Sequence, residues 1–213
     1  MGRTVQRIVI LGGAGSGKST LARELGSWLA LPIAHLDRLY YGPDWTPVGA
    51  AVFRARVKEA VAGERWVVEG TYRDAAPFSL PRADLVVWLE RPAALRLWRC
   101  WRKTRRHSGQ PRADRPDDCP EAFSLRYAMT VLSFGAWTPI VEASVRNLAR
   151  GAQVTCLRSD AEVRALAERL GPRMGDPSPD QARETPPPRA AGLSGREQPP
   201  PEPAPPARPG QGP

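Results

Sequence analysis

Residues 5–20 read VQRIVILGGAGSGKST, and the fold follows from how that stretch divides. Val5–Leu11 is a short, β-branched run that stops at glycines, the profile of a strand buried on both faces. Gly12, Gly13, Ala14, Gly15, Ser16, Gly17, Lys18 and Ser19 then satisfy G-x-x-x-x-G-K-[ST], with Thr20 next. Leu21, Leu25, Trp28 and Leu29 follow at i, i+4, i+7 and i+8, a helical stripe that stops before Pro32. Strand, glycine loop and helix in that order make a cradle for phosphate. The glycines let successive backbone N–H groups face phosphate oxygens, and the helix adds its positive end. In such a cradle Lys18 can bridge the β- and γ-phosphates of ATP, and the Ser19 hydroxyl can ligate Mg²⁺. Residues 12–20 are the expected ATP site.

The alternation continues downstream. Ile33–Leu36 reads as a second strand, and Phe53, Val57 and Val61 mark a helix. Trp66-Val67-Val68 leads into Glu69-Gly70, and Leu85–Leu89 leads into Glu90-Arg91-Pro92. Gln153–Leu157 reads as a fifth strand, before a closing helix lined by Val163, Leu166 and Leu170. Strands alternating with helices imply an α/β domain with a parallel sheet covered on both faces.

Open parallel sheets bind ligands at the carboxyl ends of their strands. Asp37 is expected to end the second strand there, as a base for an attacking hydroxyl or a member of the Mg²⁺ shell. Its plain alternative is a turn or cap residue. Glu69 is placed to hold Mg²⁺ through water, or to cap a neighbouring helix; Gly70 follows it, and Arg73 is placed to clamp an anionic acceptor. Trp45, with Tyr40 and Tyr41, can stack on a base or sugar or simply pack beneath a loop.

Composition sets the boundaries. Residues 172–213 contain 14 of the 24 prolines, and their only apolar side chains larger than alanine are Met174 and Leu193. Such a segment cannot offset its ordering entropy, so the expected folded domain is 1–171, followed by a disordered tail. The tail has five arginines and five acids, so the formal charge of +9 belongs to the domain. Arg96, Arg99, Arg102, Lys103, Arg105, Arg106, Arg112 and Arg115 face only Asp114 in one stretch. That patch attracts phosphate. It reads as an arginine-loaded lid over about residues 100–120, in which Arg99, Arg102 and Arg112 stabilise transferred charge. A solvated face and a nucleic-acid contact surface stay open as alternatives. Cys100, Cys119 and Cys156 are odd in number and widely spaced, which fits neither a disulfide framework nor a four-cysteine zinc site. No apolar run approaches membrane-spanning length and no secretory signal is evident, so a cytoplasmic protein without membrane contact is expected.

Several strings together carry a resemblance: GGAGSGKST (12–20), LPIAHLDRLYYGPDW (31–45), WVVEGTYR (66–73), ADLVVWLERP (83–92) and the arginine-rich stretch through DDCPE (117–121). The chain resembles adenylate-kinase-like P-loop NTPases, and within them looks closest to the branch called topology modulation proteins. The resemblance implies five parallel strands in the order 2-3-1-4-5. It also implies acceptor-side roles for Glu69 and Arg73, and a lid headed by Arg99, with Arg102 or Lys103 as the second cation. The segment with Tyr40, Tyr41 and Trp45 departs from the nucleoside-monophosphate pocket of true adenylate kinases. The expected function is an ATP- and Mg²⁺-dependent kinase acting on a small, nucleotide- or nucleoside-like acceptor. The rival is an ATP-switched regulator that holds nucleic acid through residues 96–115. Oligomeric state is not legible.

Overall fold

The computed structural model describes residues 5–107 and 123–170. Arg112, Arg115 and the proline-rich tail, for which a lid and disorder were expected, lie outside the described residues. Five strands, β1 (Arg7–Gly12), β2 (Ile33–His35), β3 (Trp66–Glu69), β4 (Leu85–Leu89) and β5 (Gln153–Leu157), form one parallel sheet. Its order is β2-β3-β1-β4-β5, as expected. The helices are α1 (Lys18–Leu29), α2 (Leu36–Tyr40), α3 (Ala50–Ala60), α4 (Ala76–Ser79), α5 (Ala93–His107), α6 (Leu125–Ser133), α7 (Thr138–Leu148) and α8 (Asp160–Leu170).

Period-two alternation explains why the central strands are apolar throughout. Val9, Leu11, Val68, Val86 and Trp88 turn to one face and pack with Phe53, Val57 and Val145. Ile8, Ile10, Val67, Val87 and Leu89 turn to the other and pack with Leu21, Leu25 and Leu166. Burying each such side chain contributes roughly 1.5–3 kcal/mol, so two-sided burial of β1 fixes it as the middle strand. The phosphate loop therefore leaves the centre of the sheet. Asp84 secures the opposite end of β1: its carboxylate accepts from the Gln6 and Arg7 amides (3.2 and 3.0 Å) and pairs with Arg7 Nη2 (2.9 Å).

Two expectations need correction. The second strand stops at His35, and Asp37 lies in the first turn of α2 rather than at a strand end. Leu36 and Leu39 are both buried, and that i, i+3 spacing favours one helical turn over continued strand. Within residues 123–150, α6 and α7 are joined through a 3-10 turn at Phe134–Trp137. Ser124 starts α6 by accepting from the Tyr127 amide at 3.1 Å. Leu125–Leu148 is, by length and composition alone, long and apolar enough to cross a bilayer, contrary to the sequence reading. It also carries Arg126, Glu142 and Arg146, and it packs against α5 and α4.

Candidate active site

The loop between β1 and α1 wraps an open helix end. Gly17 caps α1 with φ 104°, no side chain caps the helix, and no acid occupies its first turn, so the amides that begin α1 stay available to an anion. Gly15 has φ 76°, and a Cβ there would collide with the Arg96 carbonyl and Cys100 Sγ of α5. Only glycine meets both conditions. Lys18 folds back so that Nζ donates to the Gly13 carbonyl at 3.1 Å, which parks its charge over the loop. Ser16 is buried within the loop, Ala14 is half-buried, and Thr20 is exposed on the first turn of α1.

Beside this cradle stands a buried polar cluster. Register places His35 of β2 directly against Glu69 of β3. Glu69 Oε1 accepts from Ser19 Oγ at 3.0 Å and lies 2.8 Å from His35 Nδ1. Facing a carboxylate, His35 Nδ1 is assigned the proton and donates it. Burial alone would raise the Glu69 pKa. The His35 hydrogen bond, the Lys18 charge and the Ser19 hydroxyl outweigh burial and hold it below the usual carboxylate range.

Asp37 behaves in the opposite way. Desolvation of its carboxyl and the charge of Glu69 push it above the usual range, against the Tyr72 hydrogen bond and the charges of Lys18 and Lys103. The residue as a whole is open to solvent, so water tempers that rise. Tyr72 Oη donates to Asp37 Oδ1 at 2.6 Å, and the Tyr72 phenol is itself pushed far up by burial and by Asp37. The Tyr72 ring is held by Tyr40 and Phe53, with centroids 4.8 and 5.2 Å away. On its other side Thr71 Oγ1 bridges the Gly12 amide and carbonyl, both at 3.0 Å. The Gly70 amide donates to the Ile10 carbonyl at 3.1 Å, which keeps the end of β3 level with the loop.

A cavity of about 300 Å³ opens next to this cluster, with Gly70, Thr71, Tyr72 and Arg73 on one side and Phe134, Trp137 and Ile140 on the other. Phe134 also closes on the phosphate loop, where a Cβ at Gly13 would strike its ring. Trp45 is not in the cavity lining; it packs edge-on against Tyr41, 5.3 Å between centroids.

The basic helix divides into separate parts. Arg99 Nη2 pairs with Asp160 at 2.6 Å, and Arg91 holds the same carboxylate at 3.2 Å while donating to the Leu157 carbonyl at 2.8 Å. That clip leaves Arg99 beside Gly17 of the cradle. Arg102 instead stacks on the exposed Trp98 at 4.3 Å, and Arg105 on Trp101 at 5.0 Å. Arg96 is only 4% exposed and lies against Gly13 with its guanidinium 5.3 Å from the Phe134 ring. Burial pushes its pKa below the usual arginine range, and its Nη1 has no hydrogen-bond partner among the described residues.

Of the residues singled out in the sequence, Lys18, Ser19, Glu69, Arg73 and Asp37 lie around the ends of β1 and β3. Sequence reasoning missed His35, Thr71, Tyr72 and Arg96. The signal for His35 and Tyr72 was present only as adjacency of β2 and β3, which brings HLD (35–37) beside EGTYR (69–73).

The Ser19–Glu69 pair fits Mg²⁺, which is usually held by one or two protein oxygens with phosphate oxygens and water completing its shell. Among the described residues there is no group of three or more His, Cys, Asp or Glu spaced to cage a metal.

No protein-family model matches the sequence, and no curated protein matches it. Solved structures of similar fold include a shikimate kinase from Acinetobacter baumannii in complex with shikimate (19% identity, TM-score 0.48, covering 78% of this chain and 91% of that one). A gluconokinase from Sinorhizobium meliloti 1021 matches at 18% identity and TM-score 0.44, over 79% of this chain and 97% of that one. A deoxyadenosine kinase from M. mycoides with bound dATP matches at 13% identity and TM-score 0.41, over 78% and 98%. At these values the likeness is one of fold.

Proposed function

We propose that this chain is an ATP- and Mg²⁺-dependent phosphotransferase that moves the γ-phosphoryl group to the hydroxyl of a small acceptor. One observation carries the proposal. The loop lysine, the Ser19–Glu69 pair and the Tyr72–Asp37 pair stand close enough to act on one another's charge, and Tyr72 also lines the neighbouring cavity.

The phosphates of ATP lie on the amides of residues 13–19, with Lys18 and the open end of α1 opposing their charge. Mg²⁺, when bound, neutralises the β- and γ-phosphate oxygens. Ser19 and Glu69 would hold it, Ser19 directly and Glu69 through water, and His35 fixes the Glu69 carboxylate in place. Asp37, raised in pKa by desolvation and by the charge of Glu69, accepts the proton of the attacking hydroxyl, and Tyr72 aims it. Arg96 and Arg99 add positive charge on the α5 side of the loop. Arg73, at the cavity wall, meets the acceptor. The run of motifs from GGAGSGKST to DDCPE supports a place in the topology modulation branch, and the three widely spaced cysteines support a cytoplasmic setting.

The test is release of ADP from Mg-ATP by the full chain in the presence of pooled small hydroxyl compounds, with Lys18→Ala as the comparison. Acceptor-stimulated release should fall by about 10²–10³-fold or more in the variant. Undiminished activity in Lys18→Ala would overturn the proposal.

A further inference from the structure

The cavity lining also bears on which acceptor fits. At about 300 Å³ it stands at the small end of ligand pockets. Its walls are hydrocarbon: Leu11, Leu36 and Val68 on the sheet side, Phe134, Trp137 and Ile140 on the α6–α7 side. The hydroxyls in the lining have already committed their protons. Thr71 donates to the Gly12 carbonyl (3.0 Å) and Tyr72 to Asp37 (2.6 Å). Thr130, Ser133, Ser144 and Ser79 donate to the carbonyls of Arg126 (3.1 Å), Thr130 (3.2 Å), Ile140 (2.9 Å) and Ala75 (3.1 Å). Arg73 is the exception: exposed, on the lining, and without a hydrogen bond or ion pair among the described residues.

A polyol placed here would bury several hydroxyl oxygens with no donor to meet them, and each unmet polar group weakens binding. A phosphomonoester would bring two charges to one guanidinium. An apolar body with a single negative charge and one hydroxyl matches every wall. We propose that the acceptor is an apolar hydroxy acid, aryl or alkyl, with its carboxylate on Arg73, its hydrocarbon against Leu36, Phe134 and Trp137, and its hydroxyl toward Asp37. The assignment rests on the phosphotransferase reading. In the transfer, the hydroxyl oxygen forms a bond to Pγ while the bond from Pγ to the β–γ bridging oxygen breaks. The bridging electron pair leaves with ADP, and the hydroxyl proton passes to Asp37 and then to water. The products are the phosphate monoester of the acid, ADP and one proton.

Two measurements on the full chain keep the proposals separable. Calorimetric titration with phenyllactate and mandelate, with their methyl esters, gluconate, adenosine and AMP as comparisons, reads the cavity without requiring turnover. At least one free acid should bind more tightly than gluconate, adenosine or AMP. Arg73→Gln should weaken that acid roughly tenfold or more while leaving its ester nearly unchanged. Trp137→Ala should weaken acid and ester alike. Binding of neither acid, tighter binding of a comparison compound, or equal loss of acid and ester in Arg73→Gln would overturn the assignment. ADP release from Mg-ATP is then read with the same compounds. Acid-stimulated release that disappears in Lys18→Ala supports both proposals. Stimulation by gluconate, adenosine or AMP alone leaves the phosphotransferase standing and overturns the acceptor class. Acid binding without any stimulated release overturns the phosphotransferase instead.

Discussion

Tyr72→Phe isolates one hydrogen bond at the reacting end of the site. The ring keeps its neighbours Tyr40 and Phe53, so the substitution should leave packing and fold intact. What disappears is the 2.6 Å contact from Tyr72 Oη to Asp37 Oδ1. Hydrogen bonds to charged groups contribute about 1.5–3 kcal/mol net. One pKa unit corresponds to ~1.36 kcal/mol, so losing the bond should raise the Asp37 pKa by roughly 1–2 units. Because Asp37 stays open to solvent, the lower end of that range applies. The sign is fixed by which form the bond favours: Tyr72 stabilises the carboxylate, and without it desolvation and the charge of Glu69 act with less opposition. The direct readout is the ¹³C shift of the Asp37 carboxyl, titrated through the acid range in wild type and variant without nucleotide. In turnover the same change should move the acid limb of kcat/KM to higher pH by a similar amount. An Asp37 titration that stays in place, or moves to lower pH, would refute the assignment of Tyr72 as a group that favours the Asp37 carboxylate.

Other perturbations test other parts. Gly15→Ala forces a side chain into positive φ and against the α5 backbone, and should weaken Mg-ATP binding about tenfold or more in calorimetry while the fold survives. Asp160→Asn should release Arg99 and Arg91 from their shared carboxylate and raise the KM for ATP several-fold with a smaller effect on kcat; unchanged kinetics would show that the clip has no part in nucleotide binding. Asp84→Ala should cost about 1–3 kcal/mol in denaturant unfolding at neutral pH. Burial would raise the Asp84 pKa, but the hydrogen bonds from Arg7 and from the Gln6 and Arg7 amides hold it below the ordinary 3.8. Its contribution is therefore present above that value and lost as pH falls through the lower folded one, so wild type and variant should converge in stability in acid.

The sheet was legible because its strands are short, two-sidedly buried and punctuated by glycine or proline, as in Val5–Leu11 before Gly12 and Leu85–Leu89 before Pro92. The phosphate loop was legible because its chemistry is local: the lysine, the hydroxyl and the glycines lie within eight residues. The Tyr72–Asp37 pair was not, since it joins residues 35 apart that meet only once β2 and β3 pair. Arg96 was counted with its basic neighbours, although it is buried where they are solvated; charge alone does not reveal which side of a helix faces a loop. For Trp45 the sequence left ligand stacking and packing beneath a loop both open, and the structure shows it packed against Tyr41. An aromatic in a loop near a site has the composition of a ligand contact, and here a neighbouring tyrosine occupies it instead.

Thr71, Tyr72 and Arg73 are consecutive, yet each serves a different client: Thr71 the Gly12 backbone, Tyr72 the Asp37 carboxylate, Arg73 the cavity. The opposite wall of the cavity comes from the α6–α7 helical stretch, whose Phe134 reaches the loop at Gly13. On the proposed reading, recognition of the acceptor's charge by Arg73 and of its apolar body by Phe134 and Trp137 thus sit on separate stretches of chain. On that reading, changes at Trp137, Ile140 and Val141 should alter which molecules bind with little effect on the Tyr72–Asp37 pair, whereas changes within 71–73 should disturb it or the loop. A scaffold partitioned in this way can acquire new acceptors by changing a single helical stretch, and a designer seeking another specificity would begin there.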